Sequence, residues 1–344
     1  MNATVPRGAR VMLIASLLTV GFMDYWDYSR SFYAQPGLLM DIVRGTADAP
    51  QQYRVGVVRA GYWMTQHLHM AMRHAFALID IAALLIAVLL LLRLLERSEV
   101  FQRGSRVAQW FGAAVFLVLV QFYLAWLWTP QRVETLPACL MVASMLWLWQ
   151  LPQGSAGKSC AIAGSLVVVV LVGSFVRADV AGSLSLGFFC VALTPLGKRF
   201  SLPQGLALGT SAVLTVVAGG VQLYLMKVAY PLAGYGRVKM WQFRPNLIHG
   251  TRWVPFVLFM LPVFWTYVQV IRRRRPGDAV GVALMAGAVP FAALWAVIGK
   301  VDEVRIFLPI ALAMVPVTVQ MAMLQAGEAQ GSASQLGTLG KSHT

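Results

Sequence analysis

Residues 74–95 read HAFALIDIAALLIAVLLLLRLL, and this stretch decides the class of protein. Its length matches the roughly 20 apolar residues with which an α-helix crosses a hydrocarbon core about 30 Å thick. After His74 at its start, its only ionisable side chains are Asp80 and Arg93. The pattern therefore predicts a helix that spans a membrane.

The same pattern recurs along the chain. Of the 344 residues, 58% are hydrophobic and only 12% are charged, a composition that excludes a soluble globular protein. We predict an all-α, polytopic integral membrane protein with about ten transmembrane helices. The apolar stretches are residues 9–26, 74–95, 107–128, 135–152, 160–176, 180–196, 204–228, 253–271, 279–299 and 305–324. Residues 1–324 then form one transmembrane domain, and the Gly- and Ser-rich residues 325–344 are typical of a disordered tail.

The net charge of +15 reflects membrane topology rather than nucleic-acid binding, because Lys and Arg occur in short clusters between apolar stretches. An N-terminus in the cytoplasm places most Lys and Arg of the short loops there, as the positive-inside rule requires. We therefore expect both termini in the cytoplasm. Four unusual segments then share the outer face of the membrane, which we expect to be the active one: residues 24–73, 177–179, 229–252 and 300–305.

Asp24 and Asp27 follow the first apolar stretch, and on a continued helix they share a face with Arg30. A partly desolvated carboxylate has a raised pKa and can serve as a general base. The alternative is a belt of interfacial aromatic residues with solvated acids. A divalent cation, Mg or Mn, held by one of these acids with a substrate phosphate is a further alternative.

Residues 50–73 predict a juxtamembrane amphipathic helix that starts at Pro50. Its Arg54, Arg59 and His67 are candidate contacts for a phosphate or a sugar, or for ordinary lipid headgroups. His67, His69 and His74 lack the spacing of a helical zinc site, so a histidine metal site is not favoured.

Three charged sites interrupt or border apolar stretches, where an ionisable residue is expensive and often functional. Arg177 and Asp179 either pair with each other at a helix hairpin or provide a cation for an anionic substrate. Asp80 lies about two turns into its helix and is either functional or bonded to a neighbouring helix. Glu303 and Arg305 precede the last apolar stretch, where helix capping explains the acid but not the arginine.

The chain resembles members of the GT-C superfamily of polytopic membrane glycosyltransferases, and in particular the small bacterial members. The resemblance rests on an aspartate directly after the first span, on Tyr53-Arg54 in a juxtamembrane helix, and on Glu303-x-Arg305 before the last helix. It implies a GT-C-like fold with outer-face juxtamembrane helices and a polyprenyl-phosphate sugar as donor. It also implies a bacterial inner-membrane protein whose outer, active face is periplasmic. It also implies that Asp24 or Asp27 is the catalytic base and that arginines bind the donor phosphate; the candidates are Arg59, Arg177 and Arg305.

The chain departs from the larger members of that superfamily because no segment after residue 324 could form a soluble acceptor-binding domain. The sugar and the acceptor stay open. Two other functions stay open as well, namely a transporter or flippase for an anionic lipid or solute, and a non-catalytic membrane assembly partner. The transporter is less favoured because spans such as 253–271 carry almost no polar groups through the inner half of the membrane.

Overall fold

A computed structural model describes residues 7–34, 37–97, 106–125, 133–152, 154–234, 241–273 and 278–341. Within these ranges the chain is helical and contains no β-strand. The helices are α1 (Arg7–Ala34), α2 (Gly37–Arg44), α3 (Val55–His67), α4 (Met72–Arg97), α5 (Arg106–Ala125), α6 (Thr135–Trp149), α7 (Ala156–Ala192), α8 (Gln204–Tyr224), α9 (Phe243–Ile248), α10 (Trp253–Arg273), α11 (Ala279–Ile298) and α12 (Leu308–Lys341).

Six of the helices in the described part of the chain are long and apolar enough to cross a membrane. They correspond to α4, α7, α8, α10, α11 and the first half of α12. Two shorter apolar helices, Trp110–Ala125 and Thr135–Trp149, lie among them. The prediction of an all-α membrane protein is thus confirmed, whereas the count of about ten spans and the GT-C-like fold stay predictions.

The long helix α7 reverses direction at Arg177, whose backbone is not helical. The first half of α7 packs on α6, where Gly173 contacts Met141. The second half packs on α11, where Gly187 contacts Ala283. The Phe188 ring stacks on the Trp149 ring, with the centroids 4.4 Å apart. Trp149 is the last residue of α6 and lies at the end of that helix far from Arg177. A straight helix would carry residue 188 about 16 Å away from Arg177 in the opposite direction. Arg177 and Asp179 therefore lie at a turn between two antiparallel halves, as the hairpin alternative predicts.

Two segments differ from what the sequence predicts, namely residues 50–73 and the C-terminal segment. Residues 50–73 do not form one helix, because a short 3₁₀ turn (Gln51–Tyr53) precedes α3 and a break at 68–71 separates α3 from α4. His69 in this break has a positive φ of 52°. At the other end of the chain, α12 extends to Lys341 and so includes most of the segment whose composition predicts a disordered tail.

Candidate functional site

Three arginine–carboxylate pairs meet at one end of the helix bundle. Arg54 Nη1 lies 2.5 Å from Glu134 Oε1, and Arg305 Nη2 lies 2.5 Å from Glu303 Oε2. Arg177 is held by two bonds, since its Nε and Nη2 donate to the two carboxylate oxygens of Asp179 at 2.8 and 2.6 Å. All three arginines are largely buried, which requires such pairing. The loop before α3, the turn in α7, the start of α6 and the loop before α12 are thereby brought together.

Trp295, near the end of α11, joins two of these pairs. Its Nε1 donates to Asp179 Oδ2 at 3.0 Å. The guanidinium carbons of Arg54 and Arg177 lie 6.0 and 5.8 Å from the centroid of its ring. Cation–π attraction operates over such distances, so the indole orders both arginines as well as the carboxylate.

A cavity of about 450 Å³ opens beside this cluster. Its polar end is formed by Arg54, Arg177 and Asp179. Mostly small or apolar side chains of α7, α8 and α11 continue it along the helices, with the polar Ser183, Thr215 and Gln222 among them. The complete lining is Pro50, Tyr53, Arg54, Arg177, Ala178, Asp179, Gly182, Ser183, Leu186, Thr215, Ala218, Gly219, Gln222, Leu294, Trp295 and Ile298. A volume of this order accommodates a small-molecule ligand or a lipid headgroup with part of its chain.

Three arginines and three carboxylates make this cluster formally neutral, and burial has the largest effect on the Arg54 guanidinium. Burial lowers the pKa of the Arg54 guanidinium below its ordinary value; the Glu134 carboxylate opposes this shift and the nearby charges of Arg177 and Arg305 add to it. For Arg305, burial is outweighed by Glu303 and Glu134, so its pKa is raised.

No family model, curated protein or solved structure matches this chain. The candidate site therefore rests on its own geometry, and the resemblance to GT-C glycosyltransferases enters only as a proposal.

Asp24 and Asp80 do not line the cavity but lie in a second buried region, between α1 and α4. Both side chains are fully buried. Tyr28 Oη donates to Asp80 Oδ2 at 2.7 Å, and the Tyr28 ring stacks on Phe76. The bond to Tyr28 agrees with the alternative in which Asp80 bonds to a neighbouring helix.

Asp27 lies one turn after Asp24 on α1, outside the six apolar helices, and is half-buried. Burial raises its pKa to about 6, and the positive charge of Arg30 opposes this shift. Such a pKa suits a general base near neutral pH. Like Asp24, it is not part of the cavity lining.

Arg59 and His67 are exposed on α3 and also lie outside the lining. Arg59 Nη2 donates to Tyr230 Oη at 2.7 Å, and the His67 ring stacks on Trp63 with centroids 4.9 Å apart. Within the described ranges, no group of three or more His, Cys, Asp or Glu side chains is arranged to hold a metal ion.

Sequence reasoning missed Glu134 and Trp295. Glu134 is buried, lies directly before α6 and pairs with Arg54, which is 80 residues away in sequence. The one available signal was an acid in a short loop between two apolar stretches. Trp295 gave no signal, because a tryptophan near the end of an apolar helix is ordinary at a membrane interface.

Proposed function

We propose that this protein is a membrane glycosyltransferase that takes a sugar from a polyprenyl-phosphate donor at the periplasmic face of the bacterial inner membrane. The observation that carries the proposal is the cavity in which Arg54 and Arg177 lie at one end of a mostly apolar, helix-lined path. A lipid phosphate joined to a long isoprenoid chain has this same division into an anionic end and an apolar tail.

The arginine end suits the donor phosphate. Each guanidinium presents five N–H donors, so a carboxylate partner does not exhaust its capacity and a phosphate can bind beside it. Charge-assisted bonds of this kind are about twice as strong as neutral ones, and they strengthen as the phosphate leaves and gains charge. The pairing of Arg177 with Asp179 and Trp295 fixes its direction before the donor arrives.

The apolar path suits the lipid tail. It is lined by small residues such as Gly182, Ala218 and Gly219 and by larger ones such as Leu186 and Leu294. These residues belong to α7, α8 and α11, which are helices apolar enough to lie in a bilayer. A tail bound there would contact mainly apolar side chains, with the polar Ser183, Thr215 and Gln222 interspersed.

The proposed chemistry begins when a carboxylate removes the proton of an acceptor hydroxyl. The hydroxyl oxygen then attacks the anomeric carbon, the bond from that carbon to the phosphate oxygen breaks, and the lipid phosphate leaves with the bonding electrons. Asp27 is the preferred base, because it is half-buried with a pKa near 6, whereas Asp24 is fully buried.

A transporter or flippase for an anionic lipid is the second candidate. It is favoured by one observation, which is that neither Asp24 nor Asp27 lines the cavity that would hold the donor. In such a protein the arginines would bind the headgroup without any transfer of sugar.

The two functions are separated by mass spectrometry of lipid-linked sugars and envelope glycans. Cells would carry the wild type, a deletion, or equally abundant Arg54→Gln, Arg177→Gln and Asp27→Asn variants. For a transferase, the deletion and the Asp27→Asn variant accumulate the same polyprenyl-phosphate sugar and lose the same glycan. The arginine variants should reduce this decoration roughly tenfold or more, because each removes a bond to a charged group.

Arg44→Gln is the matched control, since Arg44 is exposed on α2 and should leave the profile unchanged. A profile that changes in the deletion and in the arginine variants but not in Asp27→Asn contradicts the transferase. It supports transport, which should then respond to an ion gradient in proteoliposomes, whereas sugar transfer should proceed in detergent.

A further inference from the structure

The segment between α8 and α10 presents large apolar side chains on the protein surface. Trp241, Phe243, Leu247 and Ile248 are each more than half exposed, with relative exposures between 51% and 67%. Residues 241–252, which include α9, are referred to as the surface segment. Exposed apolar side chains in one short stretch usually mark a contact with another molecule or with a membrane.

The surface segment is fixed to the end of α11. Asn246 is fully buried, and its Nδ2 donates to the backbone oxygens of Ala296 and Gly299 at 2.9 and 2.8 Å. The Gln242 backbone N–H donates to Val297 O at 2.8 Å. The last carbonyl groups of a helix lack hydrogen-bond donors within the helix, and here the surface segment supplies donors to some of these carbonyl groups. Its apolar side chains are thus held outward by a rigid attachment.

The charges around this attachment are mostly positive. Arg244 and Lys300 are exposed, Arg252 is partly buried, and no Asp or Glu occurs anywhere in residues 180–277. The next acids in sequence are Asp278, at the opposite end of α11, and Asp302 and Glu303 after α11, of which Glu303 pairs with Arg305.

Arg252 gives a separate indication of an anionic ligand. Its Nη1 is buried and has no hydrogen-bond partner among the residues that the structure describes. A buried guanidinium nitrogen without an acceptor is costly, and a headgroup phosphate would provide one.

We propose that the surface segment is an anchor that binds the anionic phospholipids of the adjacent leaflet. Its aromatic and aliphatic side chains enter the interfacial layer, and Arg244, Arg252 and Lys300 bind the headgroup phosphates. The anchor lies next to the cavity, because Trp295 and Ile298 of the same end of α11 line it. Anionic lipids would accordingly collect beside the cavity, whatever reaction takes place in it.

Native mass spectrometry of the full-length protein tests the lipid preference. The delipidated protein would be titrated with phosphatidylglycerol and phosphatidylcholine in the wild type, in Arg244→Gln/Arg252→Gln, and in the control Lys198→Gln/Arg199→Gln. The control residues are exposed in the loop after α7, away from the anchor. Wild type and control should prefer phosphatidylglycerol, and the anchor variant should bind it about tenfold more weakly.

A second measurement requires no charged variant. Fluorescence quenching in vesicles of brominated phosphatidylglycerol or brominated phosphatidylcholine would be compared between the wild type and Trp241→Phe. The fluorescence of Trp241 is the difference between the wild type and Trp241→Phe. It should be quenched by both brominated lipids, and more strongly by brominated phosphatidylglycerol. Equal binding of the two lipids by the wild type, unchanged binding in the double anchor variant, or a Trp241 signal without preference would each overturn the proposal.

Discussion

Asp27 offers a test at the scale of a single residue, because burial raises its pKa to about 6 against the opposing charge of Arg30. The folded protein therefore binds this proton more tightly than the unfolded chain does. The resulting contribution to stability is complete below about pH 4 and is lost as the pH rises through about 6.

We expect the melting temperature of the detergent-solubilised wild type to fall between these pH values more steeply than that of Asp27→Asn. Arg30→Gln should move the decrease to higher pH, because the opposing charge is removed. Parallel melting profiles for wild type and Asp27→Asn would show that Asp27 titrates normally.

Arg177 shows that pairing at a helix hairpin does not remove a residue from a cavity, while its role as a cation for an anionic substrate stays a prediction. It pairs with Asp179 at the turn of α7, and it also lines the cavity beside Arg54. The pair is local and could be predicted from a spacing of two residues. The proximity of Arg54 depends on the contact of α3 with α7 and leaves no trace in the sequence near either arginine.

At the scale of helices, α7 and α11 cross at a point where only glycine fits. A Cβ on Gly187 would lie 2.2 Å from the backbone oxygen of Ala283 and 2.5 Å from the backbone nitrogen of Gly287. Backbone atoms cannot move aside like a side chain, so the two helices would have to separate. This contact holds the second half of α7 against α11, and with it Asp179 against Trp295.

Gly187→Ala should therefore lower the stability of the protein by about 1–3 kcal/mol, the usual cost of overpacking. The matched control is Gly209→Ala on α8, where a Cβ would have nothing within 4 Å. Alanine there should be neutral or stabilising by up to about 1 kcal/mol, because it favours the helix. Thermal unfolding of both variants in the same detergent measures the difference, and equal melting temperatures would contradict the close crossing.

At the scale of the whole molecule, the reversal at Arg177 determines which ends of the helices share a side of the membrane. Lys158 lies in the first turn of α7 and Lys198 follows its second half, so both should lie on the cytoplasmic side. Leu232, in the segment after α8, is 97% exposed and should lie on the opposite side.

Single cysteines test this arrangement in a variant whose Cys139, Cys160 and Cys190 are replaced by alanine. A membrane-impermeant maleimide should label Leu232→Cys in intact cells. It should label Lys158→Cys and Lys198→Cys only after the membrane is permeabilised. Labelling of Lys158→Cys and Lys198→Cys from opposite sides would show that α7 crosses the membrane as one helix.

The sequence by itself determined the class of the protein and the approximate position of its apolar helices. Both follow from local properties, since the hydrophobicity of about 20 consecutive residues decides whether a helix is stable in a bilayer. The cost of placing a charge there also marked Arg177 and Asp179. By contrast, the break at 68–71 and the extension of α12 to Lys341 were not evident from turn residues or composition.

Only the tertiary structure decided which of the marked residues share a site. It placed Arg54, Arg177 and Asp179 in one cavity, added Glu134 and Trp295, and left Arg59 and His67 on the surface of α3. The positions of these residues in the sequence do not predict the contacts between them. Helices far apart in sequence meet where their faces pack together, as α7 and α11 do at Gly187 and Gly287. Buried charges then pair with whichever partner that packing brings within reach.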